Sequence, residues 1–325
     1  MTKRIGAMFP CRIPADRLVR LSREAELSGL DELWVVEDCF YTGGIANAAT
    51  ALAATEAITV GIGVLPTVAR NAAIAAMELA TLATLHPGRL IAGFGHGVPD
   101  WMRQIGEYPP SPLAALRETL SAVRRLLAGE RITVDGKHVR LDDVGLEFPP
   151  AVVPPVLAGV RGPKSLAISG AEADGTILAE PASPEYLRAA RASIEAGGGD
   201  LARHTVVTYT WFAAHEDPEI ARDAVRATLA GLKPKVAPHV RPLPFGEELL
   251  AAIDAGDLSE KLRPEWVDRL SVSGTPEHCA ERIAELHEAG SDSVVLIPVP
   301  GIDEEAAFAA AGKIATAVRG QGSVV

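Results

Sequence analysis

Eight short apolar runs, each followed by an amphipathic or Ala-rich stretch, restrict this chain more than any other feature of its sequence. The runs cover roughly 4–9, 32–36, 58–65, 89–94, 155–159, 175–179, 205–213 and 293–298. Most are apolar throughout rather than alternating, the pattern of strands covered on both faces. The stretches between them read as helices. One stops at Ser28-Gly29 and another at His86-Pro87-Gly88, both good helix stops. Three helix starts repeat one signal. Ser183-Pro184-Glu185, Asp217-Pro218-Glu219 and Thr275-Pro276-Glu277 each offer an N-cap side chain, Pro at the first helical position and an acid in the first turn. Eight strands with helical crossovers predict an α/β fold, a (β/α)8 TIM barrel forming one domain over 1–325. Two insertions interrupt the alternation. Residues 131–150 read as a β-hairpin turning at Asp135-Gly136. Residues 232–264 are Pro-rich and read as an excursion over the barrel mouth before the last strand, mostly non-helical over 233–244.

With 325 residues, 48% of them hydrophobic, the chain can bury a large core. A formal net charge of −11 argues against nucleic acid or an anionic membrane as partner, because both need a basic face. It leaves room for a local basic pocket. Cys11, Cys39 and Cys279 are odd in number and widely spaced, which suggests free thiols in a reducing compartment. The opening Met1-Thr2-Lys3-Arg4-Ile5 has no secretory apolar region, and no apolar run is long enough to span a bilayer. A cytoplasmic protein acting on a small molecule is expected. His138, His204, His215, His239, His278 and His287 lack metal-ligand spacing, so no metal is expected. Ser165 and Ser169 lack the Gly-x-Ser-x-Gly context of a nucleophile elbow.

In such a barrel the active site gathers at the carboxyl ends of the strands. Gly159-Val160-Arg161-Gly162-Pro163-Lys164 lies there, between the fifth strand and a helix. Glycines allow close approach of an anion, and the helix offers free N–H groups and the positive end of its dipole. Read blandly, the same segment is an ordinary turn with solvated basic residues. Gly93-Phe94-Gly95-His96-Gly97 ends the fourth strand; its spacing is not that of a dinucleotide fingerprint. A tight turn accounts for Gly95 and Gly97 but not for His96, which reads either as a proton donor or as a structural histidine. Glu37-Asp38-Cys39 ends the second strand and reads either as a site or as a helix-capping turn.

Three motifs together carry a family resemblance: Leu33-Trp34-Val35-Val36-Glu37-Asp38-Cys39-Phe40, His86-Pro87-Gly88-Arg89-Leu90 leading into Gly93 to Gly97, and Gly159 to Ser165 followed by Ala173-Asp174-Gly175-Thr176-Ile177-Leu178. The chain resembles the bacterial luciferase-like superfamily over nearly its full length. Within it, the chain is most similar to the coenzyme F420-dependent branch, typified by methylenetetrahydromethanopterin reductase and F420-dependent glucose-6-phosphate dehydrogenase. The resemblance implies a homodimer. It implies that Asp38 contacts the edge of the deazaflavin ring and that the loop from Gly159 to Lys164 holds phosphate. It also implies a non-proline cis peptide at Gly63–Val64 supporting the back of the ring. A plain buried strand with Gly for close packing is the other reading of that segment. Many F420 relatives carry His where this chain has Cys39, and the sugar-phosphate dehydrogenases carry Glu where it has Val98. Both differences speak against glucose 6-phosphate as substrate. They leave the proton donor open among Glu37, Cys39, Tyr41 and His96.

Three functions compete. The first is F420-dependent hydride transfer to or from a small organic substrate. The second is an FMN-dependent monooxygenase that uses reduced flavin and oxygen. The third is a non-catalytic barrel. The long anionic tail of F420 would suit a cationic track, and Arg12, Arg70, Arg103, Arg161 and Lys164 all fall in loops at the carboxyl ends. That favours the first.

Overall fold

The computed structural model describes residues 3–321. Its strands in chain order are β1 (Arg4–Phe9), β2 (Glu32–Val35), β3 (Thr59–Pro66), β4 (Leu90–Gly95), β5 (Ile132–Asp135), β6 (Arg140–Val144), β7 (Val156–Gly159), β8 (Gly175–Leu178), β9 (Thr205–Ala214), β10 (Val272–Gly274) and β11 (Ser293–Pro298). Eight of them, all but β5, β6 and β10, pair in parallel in the order β9-β11-β1-β2-β3-β4-β7-β8, and β8 pairs back onto β9. The sheet is therefore closed. Helices cross between the strands, which makes it the TIM barrel that the eight apolar runs predict. Each run contains one barrel strand, with boundaries moved by a residue or so.

Closure explains why the strands are apolar throughout. Alternate side chains enter the barrel, and the others meet the helices. Met8, Trp34, Ile91, Leu157, Ile177, Val207, Tyr209 and Val295 pack inside it. Trp34 and Tyr209 meet edge to face, with ring centroids 5.6 Å apart. At the amino end, the buried Glu32 accepts from Trp34 Nε1 at 2.7 Å and Ser293 Oγ at 2.6 Å, and it pairs with Arg4 at 2.8 Å. This end of the barrel is plugged, so open space is left at the other.

The helix starts behave as their sequence says. Ser183 accepts from Tyr186 N, Asp217 from Glu219 N and Thr275 from His278 N, each with Pro following. Gly29 takes φ +81°, which lets the chain leave the helix Leu18–Leu27. β5 and β6 form the antiparallel hairpin, with Gly136 N bonded to Val139 O across its turn.

The segment 232–264 differs from expectation. Its start is helical: a 3-10 turn at Pro234–Val236 runs into the helix Ala237–Val240. Pro234 and Pro238 fall in first-turn positions, where a missing N–H costs nothing, so they start helical turns rather than prevent them. Helices Gly246–Ala255, Leu258–Lys261 and Pro264–Leu270 follow. Val240, Leu249, Ile253, Leu258, Trp266 and Val267 of this segment are buried in a second core cluster shared with Ala221, Val225 and Leu229 of the preceding helix and with Ala213 and Val299. The short β10, which extends the sheet beside β9, is a further element that the apolar runs did not reveal. Among the described residues no helix is long and apolar enough to cross a membrane.

Candidate active site

The open end of the barrel holds a cavity of about 580 Å³. Every barrel strand except β4 and β7 sends it a side chain from inside the barrel or from its carboxyl end, and the loops after β4 and β7 complete the wall. Met8, Val36, Ile177, Tyr209 and Ile297 make the apolar floor. Pro10, Cys11, Glu37, Asp38, His96, Val98, Trp101 and Glu180 stand around it, with Trp211 and, from the 232–264 segment, Lys235.

One wall is built from glycine. The Gly63–Val64 peptide bond is cis. Val64 then packs so closely that a Cβ at Gly159 would lie 2.3 Å from its Cγ1, and a Cβ at Gly95 would lie 2.7 Å from its Cγ2. A Cβ at Gly63 would lie 1.8 Å from the Tyr209 hydroxyl. Side chains at these positions would displace the wall. Gly97 takes φ +69° to turn the chain after β4.

The next wall is positive. β7 runs through Val160 and Arg161 into the helix Pro163–Glu172. Gly162 is its N-cap, Pro163 its first residue, and no side chain caps it. Its first N–H groups are thus left for a ligand. Gly162 borders the cavity, and a Cβ there would meet nothing within 4 Å. Arg161 also lines the cavity, and among the described residues it has no ion-pair partner.

The other basic residues are arranged differently from the cationic track suggested by the sequence. Arg70 forks onto Glu37, and Arg12 donates to Pro298 O at 3.0 Å and faces Glu304 at 3.6 Å. Arg103 pairs with Asp100 at 2.7 Å. Lys164 borders a separate hollow of about 570 Å³ outside the barrel, with Arg117 and Lys137. Sequence position put these residues at the correct end; the paired ones are occupied by neighbouring carboxylates and carbonyls.

The candidate acids also sort differently. Glu37 borders the cavity, but Arg70 holds both of its oxygens and Gly44 N donates to Oε2 at 2.7 Å. Both of its carboxylate oxygens are therefore already engaged. Cys39 faces away, packing against the buried Val68, Met102 and Ala115. Burial, and then Glu37 and Asp38, raise its pKa. The thiol in the cavity is Cys11. Burial and the adjacent Asp38, to which it donates, push it up to about 12, so it is inert as a thiolate. Tyr41 is 60% exposed and lies outside the cavity lining. His96 lines the cavity, with Nε2 3.0 Å from Ser165 Oγ. Burial lowers its pKa below the ordinary histidine value, so it is neutral at pH 7 rather than poised to titrate there.

Glu180 and Lys235 are cavity residues that the sequence reading missed. Glu180 follows the sixth barrel strand, where Ala179-Glu180-Pro181 precedes the Ser183 cap. An acid at a strand's carboxyl end was the available signal. Its backbone is well held. His239 donates from Nδ1 to Pro181 O at 2.9 Å and stacks on Tyr186 at 4.2 Å; the Tyr186 hydroxyl donates to Arg161 O at 3.2 Å. Burial, and then Arg161, push His239 down to about 3. An unfolded chain protonates this residue near pH 6.5, so its contribution to stability is present above that pH and is lost as pH falls toward about 3, by at most about 1.4 kcal/mol per unit. In urea melts between pH 7 and 5, His239→Phe should lose less stability on acidification than the parent chain. Equal losses would contradict a buried neutral His239.

The comparisons with known proteins bear on this geometry. The family model described as luciferase-like monooxygenase matches residues 3–293. The chain belongs to the luciferase-like monooxygenase family. It is 28% identical over 319 residues to a 5,10-methylenetetrahydromethanopterin reductase of Methanolobus tindarius, covering 93% of this chain and 97% of the relative. It is 28% identical to an F420-dependent glucose-6-phosphate dehydrogenase of Nakamurella multipartita, covering 91% of this chain and 90% of that one. The fold of this luciferase-like chain matches the coenzyme F420-dependent tetrahydromethanopterin reductase of Methanopyrus kandleri with a TM-score of 0.82 at 23% identity, over 98% of this chain and 99% of that one.

Proposed function

We propose that this luciferase-like enzyme is an F420-dependent oxidoreductase that transfers a hydride between C5 of the deazaflavin and a small organic substrate. The observation that carries the reading is the cavity itself. A glycine-backed wall beside Val64 leads to an uncapped helix start with Arg161, which has no ion-pair partner within 4.0 Å among the described residues, so a flat apolar slot ends in an anion site. That fits a tricyclic ring bearing a phosphorylated tail. The F420-dependent glucose-6-phosphate dehydrogenase of Nakamurella multipartita and the coenzyme F420-dependent reductase of Methanopyrus kandleri support the same cofactor.

Bound F420 supplies the hydride. The chain's own residues do the rest. The first turn of the helix Pro163–Glu172 and Arg161 hold the phosphate. Gly63, Val64, Gly95 and Gly159 shape the back wall, and Gly97 turns the loop beside it. Asp38 stands at the ring-edge side. Met8, Val36, Ile177 and Trp211 keep the slot apolar, which limits water during transfer. Lys235 adds a second cation at the rim.

The FMN-dependent monooxygenase reading uses the same slot, and turnover separates the two. Under anaerobic conditions, reduced F420 should be oxidised by an enone probe such as cyclohex-2-en-1-one in the presence of the protein. Oxygen-dependent product formation with NADPH-reduced FMN, and none with F420, would replace this reading with the monooxygenase.

A further inference from the structure

Resting on the hydride-transfer reading, we propose that Glu180 is the general acid that protonates the reduced substrate, and the base that takes the proton back in the reverse direction. Hydride transfer to a carbonyl, imine or enone needs such a group. The electrophilic carbon gains a hydride and the deazaflavin loses two electrons. The π pair of the substrate moves onto its far atom. There the Glu180 O–H bond breaks, its proton forms the new bond, and the bonding pair stays on the carboxylate. Solvent at the cavity mouth restores the proton after each turnover.

The geometry leaves few other donors. Glu37 is held by Arg70 and Gly44 N, Cys39 faces away, Tyr41 lies outside, and the Cys11 hydrogen is committed to Asp38. Glu180 borders the cavity and has no ion-pair partner within 4.0 Å among the described residues. The charged and titratable groups facing it come from four elements. Arg161 follows β7, Lys235 belongs to the 232–264 segment, Asp38 follows β2, and Tyr209 is on β9. Burial raises its pKa most, and Asp38 raises it further; Arg161 and Lys235 act the other way. The net direction is upward, which favours the protonated carboxyl that a general acid needs. The same two cations then stabilise the carboxylate that forms on transfer, so the acid is able to react. The Tyr186–His239 stack fixes the backbone on both sides of this arrangement, at Arg161 O and Pro181 O.

Glu180→Gln keeps the size and removes the proton. With reduced F420 and cyclohex-2-en-1-one, turnover should fall roughly 10²–10⁴-fold. F420 affinity, read from fluorescence quenching, should be kept. Turnover by the parent chain should fall as pH rises through the Glu180 pKa, and the variant should lack that limb. Difference infrared spectra of the cofactor-free protein give a second readout. They should show a protonated carboxyl at pH 7 that disappears in Glu180→Gln. An ionised carboxyl there, or near-normal turnover with the limb retained, would overturn the proposal. Parent protein that fails to bind F420 would instead overturn the hydride-transfer reading, while the infrared titration still reports whether Glu180 holds its proton.

Discussion

Arg161→Ala should weaken F420 binding roughly 5- to 150-fold, about 1–3 kcal/mol, the scale of one charge-assisted hydrogen bond. The argument is one of availability. Arg12, Arg70 and Arg103 are already paired, so their charge is largely spent within the protein. Arg161 lines the cavity at the start of an uncapped helix and, among the described residues, has no ion-pair partner within 4.0 Å. Its guanidinium and the helix N–H groups converge where a phosphate would sit. Arg161→Lys should recover only part of the loss, because an ammonium cannot form the planar two-point contact. Arg103→Ala serves as the comparison: Arg103 is half exposed and bound to Asp100, so its removal should leave affinity nearly unchanged. Equal losses at Arg161 and Arg103 would mean that general charge, rather than this loop, holds the cofactor.

Arg70→Ala should destabilise the fold by about 2–4 kcal/mol, at and just below the lower end for breaking a buried ion pair because Arg70 is itself partly exposed. Glu37 is only 11% exposed, and Arg70 is its forked partner. Removing Arg70 leaves a carboxylate in the cavity wall with Gly44 N as its remaining donor. Arg70→Lys should cost less, since charge is restored without the fork. Arg70→Ala combined with Glu37→Gln should recover part of the loss, because no stranded charge remains. Urea unfolding of the parent, Arg70→Ala, Glu37→Gln and the double variant measures the coupling. A loss under about 0.5 kcal/mol would place the pair with ordinary surface salt bridges.

The barrel was legible because its strands are covered on both faces. A run such as Ser293 to Pro298 must be apolar wherever it sits in the circle, and the Ser183, Asp217 and Thr275 caps mark helix starts that local chemistry decides. The 232–264 segment was less legible. Its prolines read as helix breakers, yet Pro234 and Pro238 occupy first-turn positions, and only the packing of Trp266, Leu249 and Val240 shows why the segment is helical. In the site, strand ends located Asp38, His96 and Arg161 at the mouth. They could not show which neighbours a side chain would meet. Glu37 and Cys39 are adjacent in sequence, but one reaches Arg70 and the other turns to Met102. Glu180 falls just past the apolar run that ends at Ala179, and the Arg161, Lys235 and Asp38 that face it come from loops far apart in the chain. Pairing of charges is a tertiary property, and it decides which acids and bases remain free to act.

The central claim is that the glycine-backed cavity holds a deazaflavin. It is tested most directly by titrating the cofactor-free protein with F420 and, in parallel, with FMN, each followed by fluorescence quenching, in the parent chain and in Gly159→Val. A Cβ at Gly159 would already lie 2.3 Å from Val64 Cγ1, so a valine there would displace the wall behind the slot. The account predicts saturable F420 binding by the parent chain, weaker FMN binding, and loss of F420 binding in the variant with circular dichroism unchanged. FMN binding more tightly than F420, or F420 binding equally well to a folded Gly159→Val protein, would contradict it.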